Sequence, residues 1–260
     1  MAVVPEWSRQ RGFGIRVEWG RAGAAALGGD AGCLVVIDVL SFTTSVSVAT
    51  GAGTAVFPYR WRDGSARAFA DEHGAALAVG RRESGPWSLS PAAIRRAPFT
   101  ERLVLPSPNG SAIAASVSGT PVVAACLRNV DAVADRLVAA GWGTPEQPIA
   151  IVAAGEQWPG TETVRPALED WLGAGALVAA LIDRGLATPS PEARTAASAF
   201  DAKSDVAALI TESASGRELA ANGFADDVAI AVEVNADSTV PVLTDGAFVD
   251  RAGQLGGVTR

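Results

Sequence analysis

The sequence predicts an α/β fold: a mostly parallel or mixed sheet with helices on both faces, in three α/β/α layers, and a more helical C-terminal third. Two observations carry this. Short apolar runs rich in β-branched residues alternate with helix-like stretches through the first two-thirds of the chain, as in sheets whose strands are joined by crossover helices. The runs are also apolar almost throughout, as strands covered on both faces are. In order, Gly32–Leu40, Thr54–Phe57, Ala75–Val79, Leu103–Leu105, Pro121–Ala125 and Ile149–Ala153 read as strands, with Phe13–Trp19 a further one at the start. Thr43–Thr50, Ser65–His73, Ser111–Ser118 and Asn129–Ala139 read as the helices between them.

Residues 80–101, GRRESGPWSLSPAAIRRAPFTE, break the rhythm with prolines, glycines and serines and read as one long loop, a feature that in compact domains is usually functional or disordered. The last third reads as helices at Leu168–Arg184, Glu192–Phe200, Asp205–Glu212 and Gly216–Asn222. A closing β segment follows in VAIAVEVN and STVPVLTDGAFV. No repeat, low-complexity tract or composition shift marks a linker. Residues 1–260 therefore read as one domain with a helical subregion from about residue 165.

Composition excludes several functions. Charged residues make up 19% and apolar residues 48%, so the chain can bury a core and is not disordered. A net charge of −7 argues against a nucleic-acid partner, which would call for a basic surplus. Two cysteines, Cys33 and Cys126, make neither a disulfide framework nor a zinc site, and both read as small buried residues. The opening residues show no secretory h-region, and the longest apolar stretch, Leu172–Ile182, falls short of the roughly 20 residues of a membrane span. The expectation is a cytoplasmic protein with no membrane partner. One histidine, His73, and one lysine, Lys203, limit the chemistry further. His73 closes a helix-like stretch before Gly74, where the helix dipole favours it. Acid–base work would then fall to carboxylates, and any metal would be a hard, oxygen-bound ion.

Polar groups gather at strand ends. Asp38, Ser41, Thr43, Thr44 and Ser45 follow CLVVI; Ser107, Asn109, Gly110 and Ser111 follow RLVLP. Arg128 and Asn129 follow PVVAA, and Gly155 and Glu156 follow IAIVAA. Each cluster is at the C-terminal end of a strand, the edge where open α/β sheets bind ligands, and helix N-termini there suit anions. Asp38 ends a buried run, where a carboxylate is costly unless paired or metal-bound. It reads either as a cap for the following amides or as a magnesium ligand or nucleophile. Leu40 stands where a phosphatase of the Asp-x-Asp type needs a second aspartate, and no Walker phosphate loop exists.

The stretches VVIDVLSFTTSVSVATGAG, SPNGSAIA, CLRNVDAVA, AAGE and LEDWLGAGAL, with the closing SASGRELAANGFADDVAIAVEVNADSTVPVL, resemble in this order the 2-phosphosulfolactate phosphatase (ComB-like) family, over about residues 33 to 249. The resemblance implies Mg²⁺-dependent hydrolysis of a small phosphate monoester, nominally 2-phospho-3-sulfolactate on the route to coenzyme M. It places the family's strand-end Asp on Asp38, its loop acid on Glu83, its Asn-Gly turn on Pro108, Asn109, Gly110 and Ser111, and its Glu-Asp pair on Glu169 and Asp170. Two departures bear on the substrate. Where family members usually read DVLRATTT this chain has Ser41, and the loop through Glu83 is compressed, with Ser90 and Pro91 its remnant.

The expectation that results is a Mg²⁺-dependent phosphatase with Asp38, Glu83, Glu169 and Asp170 as catalytic carboxylates, Asp38 and Glu83 holding the metal. Thr43, Thr44, Arg81, Asn109, Gly110, Ser111, Arg128, Asn129 and Gly155 would bind the anionic substrate. A non-catalytic small-acid binder that keeps the fold is the alternative, and a homodimer is compatible with either. An Asp38→Asn chain is expected to lose activity and to fold as well as the parent or better.

Overall fold

The computed structural model describes residues 5–60, 63–161, 163–200 and 205–253; Lys203 lies outside them. The first half contains β1 (Ile15–Trp19), α1 (Gly20–Leu27), β2 (Cys33–Ile37), α2 (Phe42–Gly51), β3 (Ala55–Tyr59), α3 (Gly64–Glu72), β4 (Ala76–Leu77), α4 (Pro91–Arg96), β5 (Arg102–Pro106), α5 (Gly110–Ala114) and β6 (Val122–Ala125). The second contains α6 (Val130–Ala139), β7 (Ile149–Ala153), β8 (Glu156–Gln157), β9 (Val164–Arg165), α7 (Leu168–Asp183), α8 (Pro191–Ala199), α9 (Val206–Glu212), α10 (Ala214–Ala221), α11 (Ala225–Ala231), β10 (Pro241–Thr244) and β11 (Ala247–Asp250).

Nine strands form one mixed sheet in the order β1-β7-β2-β6-β10-β11-β3-β5-β4. The first four are mutually parallel, as are the last three. The β10–β11 hairpin joins the two sets through antiparallel pairings on both sides. Three antiparallel steps reverse the sense, so the two parallel sets run in opposite directions. Four strands separate β2 from β5, which in a flat sheet would put them about 24 Å apart. Yet Asp38, just past β2, accepts a hydrogen bond from Gly110, just past β5, at 2.8 Å. The sheet therefore curls until strand ends from its two halves meet.

Alternation along β2 shows what fills each face. Leu34 and Val36 pack with Phe42 and Val46 of α2, Ile113 of α5, Leu105 of β5 and Phe248 of β11, on the concave side that both halves share. Val35 and Ile37 point the other way, into a core with Leu137 of α6 and Leu172, Leu177 and Leu181 of α7. Helices thus cover both faces, as expected. Among the described residues no helix is long and apolar enough to cross a membrane.

Three segments differ from expectation. Within 80–101, Ser90 caps α4, its Oγ accepting from Ala93 N at 3.1 Å with Pro91 at the first helical position. VAIAVEVN is not a strand: Asp227, Val228, Ile230 and Ala231 are buried at helical spacing in α11, and the apparent alternation only mimicked a β pattern. GRAGAAAL, without a side-chain cap, forms α1. The second closing run does pair. Asp245 and Gly246, at φ 51° and 83°, form the two-residue turn of β10–β11, the conformation Asp-Gly favours in hairpins.

Candidate active site

Asp38 sits in the turn from β2 into α2. Its Oδ1 accepts Phe42 N at 3.0 Å and its Oδ2 accepts Gly110 N at 2.8 Å, so backbone amides from both halves of the sheet fix the carboxylate. Gly110 has to be glycine here: a Cβ would stand 2.4 Å from Phe42 Cδ1 and 2.7 Å from Asp38 Oδ2. Burial pushes the Asp38 carboxyl above its ordinary range, against the two amides and Arg81, and Glu169 adds to the rise. Among the described residues each oxygen accepts one hydrogen bond, and the residue lines a cavity of about 590 Å³.

That cavity gathers groups from distant parts of the chain. Asp38 and Ser41 follow β2, Ser107 and Asn109 follow β5, Glu156 and Trp158 follow β7, Arg165 comes from β9, and Arg81 and Ser215 come from outside the sheet. Asn109 Nδ2 donates to Glu156 Oε2 at 2.9 Å. Burial pushes the Glu156 carboxyl up to about 7, helped by Asp38 and Glu169 and opposed by Asn109 and Arg165. Arg81 donates to Ser41 Oγ through Nη2 and to Asp227 Oδ2 through Nε at 3.2 Å. Arg165 donates to Ser215 Oγ at 3.2 Å, and its guanidinium lies 5.9 Å from the Trp158 ring centroid. Position 41 carries no arginine, but the Arg81 guanidinium reaches that position from the compressed loop.

Other residues named from the sequence lie elsewhere. Asp170 accepts Val39 N at 2.7 Å and Gly155 N at 2.8 Å, tying the ends of β2 and β7 together; burial holds its carboxyl well above the usual range. Glu169 is buried under the site beside the Ser213 hydroxyl. Neither lines the cavity. Thr43 and Thr44 donate to Asp38 O and Val39 O, closing the turn. Ser111 accepts Ser107 N and donates to Tyr59 O. Asn129 accepts Cys126 N and donates to Thr239 O. Arg128 pairs with Glu233 and lines a different cavity of about 360 Å³. Glu83 turns back on Gly80 N at 3.2 Å and does not line the Asp38 cavity. Of the residues named as site candidates, the cavity brings together Asp38, Arg81 and Asn109, with Gly110 fixing Asp38. Glu156 is legible in the sequence only as a carboxylate at a strand end; Arg165 and Ser215 carry no local signal.

A sequence model of the 2-phosphosulpholactate phosphatase family matches residues 25–246, a span that contains every residue lining this cavity. The chain belongs to that family. As a 2-phosphosulpholactate phosphatase family member it is a phosphatase, a hydrolase of small phosphorylated substrates. No curated protein gives a significant match to the chain.

Proposed function

We propose that this phosphatase hydrolyses a small, multiply anionic phosphate monoester, 2-phosphosulfolactate or a similar phosphorylated acid, to the hydroxy acid and phosphate, and that it uses Mg²⁺. The observation that carries the proposal is the convergence of two carboxylates, Asp38 and Glu156, with two guanidinium groups, Arg81 and Arg165, in one cavity. Guanidinium forks bind carboxylate, sulfonate and phosphoryl oxygens in pairs, and two of them suit a substrate with more than one anionic group.

The donor set fits Mg²⁺, which proteins commonly hold by one or two carboxylates while substrate and water complete the shell. Asp38 places a carboxylate at the cavity wall. Among the described residues no three His, Cys, Asp or Glu side chains form a complete metal cage. Asp38 is the residue that would hold the ion; Glu83, which accepts from Gly80 N, does not line this cavity. When bound, Mg²⁺ neutralises phosphoryl charge.

The chain's own groups supply the rest. Glu156, oriented by Asn109, retains a proton near neutral pH and is placed to protonate the departing ester oxygen, the role expected of a carboxyl raised to about 7. Arg81 and Arg165 orient the anionic groups. Both cysteines are buried, with thiols pushed up by burial, so neither supplies a nucleophile.

Phosphate release from a panel of small phosphorylated acids, with Mg²⁺ and with EDTA, tests this. Release should require the metal and survive cysteine alkylation. Glu156→Gln should lower kcat by about a hundredfold and still bind inorganic phosphate. Full release in EDTA would remove the metal. No release from any phosphorylated acid would leave a small-acid binder on this fold.

A further inference from the structure

Arg81 reaches the cavity from a segment with no helix or strand to hold it. A flexible arginine loses rotamer freedom when it grips a ligand, so it binds well only where other contacts have already chosen its conformation. Three contacts do so. Its Nε donates to Asp227 Oδ2 at 3.2 Å, its Nη2 donates to Ser41 Oγ, and its Cζ lies 5.8 Å from the Phe224 ring centroid. Asp227 is 1% exposed and lies outside the cavity. Its other oxygen accepts Ser90 Oγ and Ala92 N, the latter at 3.1 Å. A carboxylate this deep needs its charge matched, and Arg81 is its ion-pair partner.

We propose that Asp227 is a positioning residue of the active site, resting on the phosphate-ester reading of the cavity. It holds Arg81 by Nε so that the Nη edge is presented to an oxyanion of the substrate. Because Ser41 Oγ accepts from Nη2, the Ser41 hydroxyl proton remains to be donated to the same anion. Asp227 belongs to α11 and Phe224 directly precedes it, so the C-terminal helices would set substrate affinity without touching substrate.

The test is Asp227→Asn, which keeps an acceptor for Ser90 and Ala92 and removes the charge that holds Nε. KM should rise about tenfold while kcat stays within about threefold, and the Kd of inorganic phosphate, measured by calorimetry, should rise in step. In an Arg81→Lys background the same substitution should add less than about twofold. A full tenfold there, or an unchanged KM in the single variant, overturns the proposal. Ser90→Ala removes a donor to the same carboxylate on the side away from Arg81 and should leave KM as it was; a rise equal to that of Asp227→Asn would show that Asp227 acts only through the packing of α4. If Asp227→Asn does not fold, Asp227→Glu keeps the charge but shifts it by one methylene. It should raise KM by about threefold or more, and a parental KM counts against the proposal. A parent chain without turnover ends the phosphatase reading alone, because phosphate binding still reports on Asp227.

Discussion

Asp38 shows how one side chain can be structural and chemical together. Its two oxygens accept amides from α2 and α5, and the residue also lines the cavity. The charge at the end of a buried strand suggested that Asp38→Asn would fold at least as well as the parent. The geometry reverses that expectation. Asparagine has one carbonyl oxygen, so its NH₂ group would confront either Phe42 N or Gly110 N and leave that amide buried without an acceptor. Such a loss costs about 1–3 kcal/mol, a fall in Tm of several degrees for a chain of this size. Asp38→Asn should therefore be both inactive and less stable, checked by thermal melting beside phosphate release; a parental Tm would mean the second amide bond contributes little. Asp170→Asn meets the same obstacle between Val39 N and Gly155 N. It should lower the urea midpoint even though Asp170 lies outside the cavity. The position of Asp38 and its bond to the following amide of Phe42 could be read from its strand end, but the bond to the distant Gly110 amide could not. Thr43, Thr44, Ser111 and Asn129 stand at strand ends as ligand-binding residues do, and hydroxyls or amides that close a turn look the same in sequence as those that bind an anion.

Among elements, legibility followed the range of the signal. Strands β2, β5, β6 and β7 announced themselves as apolar runs, and α7 by its length and apolar face. Helix α4 carried the Ser-Pro start that marks a helix, but its six residues were too few for a period to show against a proline-rich surround. Alternating valine and alanine in α11 fitted two periods, and contacts that bury Asp227 against Arg81 and Ser90 decided between them. The contact between the turn after β2 and the start of α5 follows from neither local pattern, since it depends on how far the sheet curls. Gly110 is the hinge of that contact. Gly110→Ala would place a methyl 2.4 Å from Phe42 Cδ1, an atom of a ring that is itself fully buried, so the two elements must move apart. Overpacking of this kind costs about 1–3 kcal/mol. The substitution should lower the urea midpoint and also reduce phosphate release, because it displaces Asp38. Parental release in a destabilised chain would separate the packing of α5 from the site.

The whole molecule concentrates negative charge where the two halves of the sheet meet. Asp38 and Asp170 are raised by burial, and Glu156 is raised to about 7. A local reading names four strand ends, of which the cavity brings together three, but it could not see that the carboxylates would crowd one another, because β10–β11 closes the sheet from the far end of the chain. The crowding sets how stability responds to pH. A carboxyl whose folded pKa lies above its unfolded value binds more protons in the native state throughout the interval between the two. The slope of unfolding free energy against pH is then negative: stability is fullest below the unfolded value and falls as pH rises to the folded one. For Glu156 the interval runs from the ordinary 4.5 to about 7, a loss of up to about 3 kcal/mol, to which Asp170 adds in the same direction. In EDTA, the chain should melt higher at pH 5.5 than at pH 8, opposite to a protein whose carboxylates are held by salt bridges. Glu156→Gln, of nearly the same shape and without the titrating proton, should flatten the curve below pH 7 and leave the part owed to Asp38 and Asp170. If instead Tm climbed steadily from pH 5 to pH 8 in the metal-free chain, the carboxylates would already be ionised and compensated there, and Glu156 could not be the group that holds a proton for the leaving oxygen.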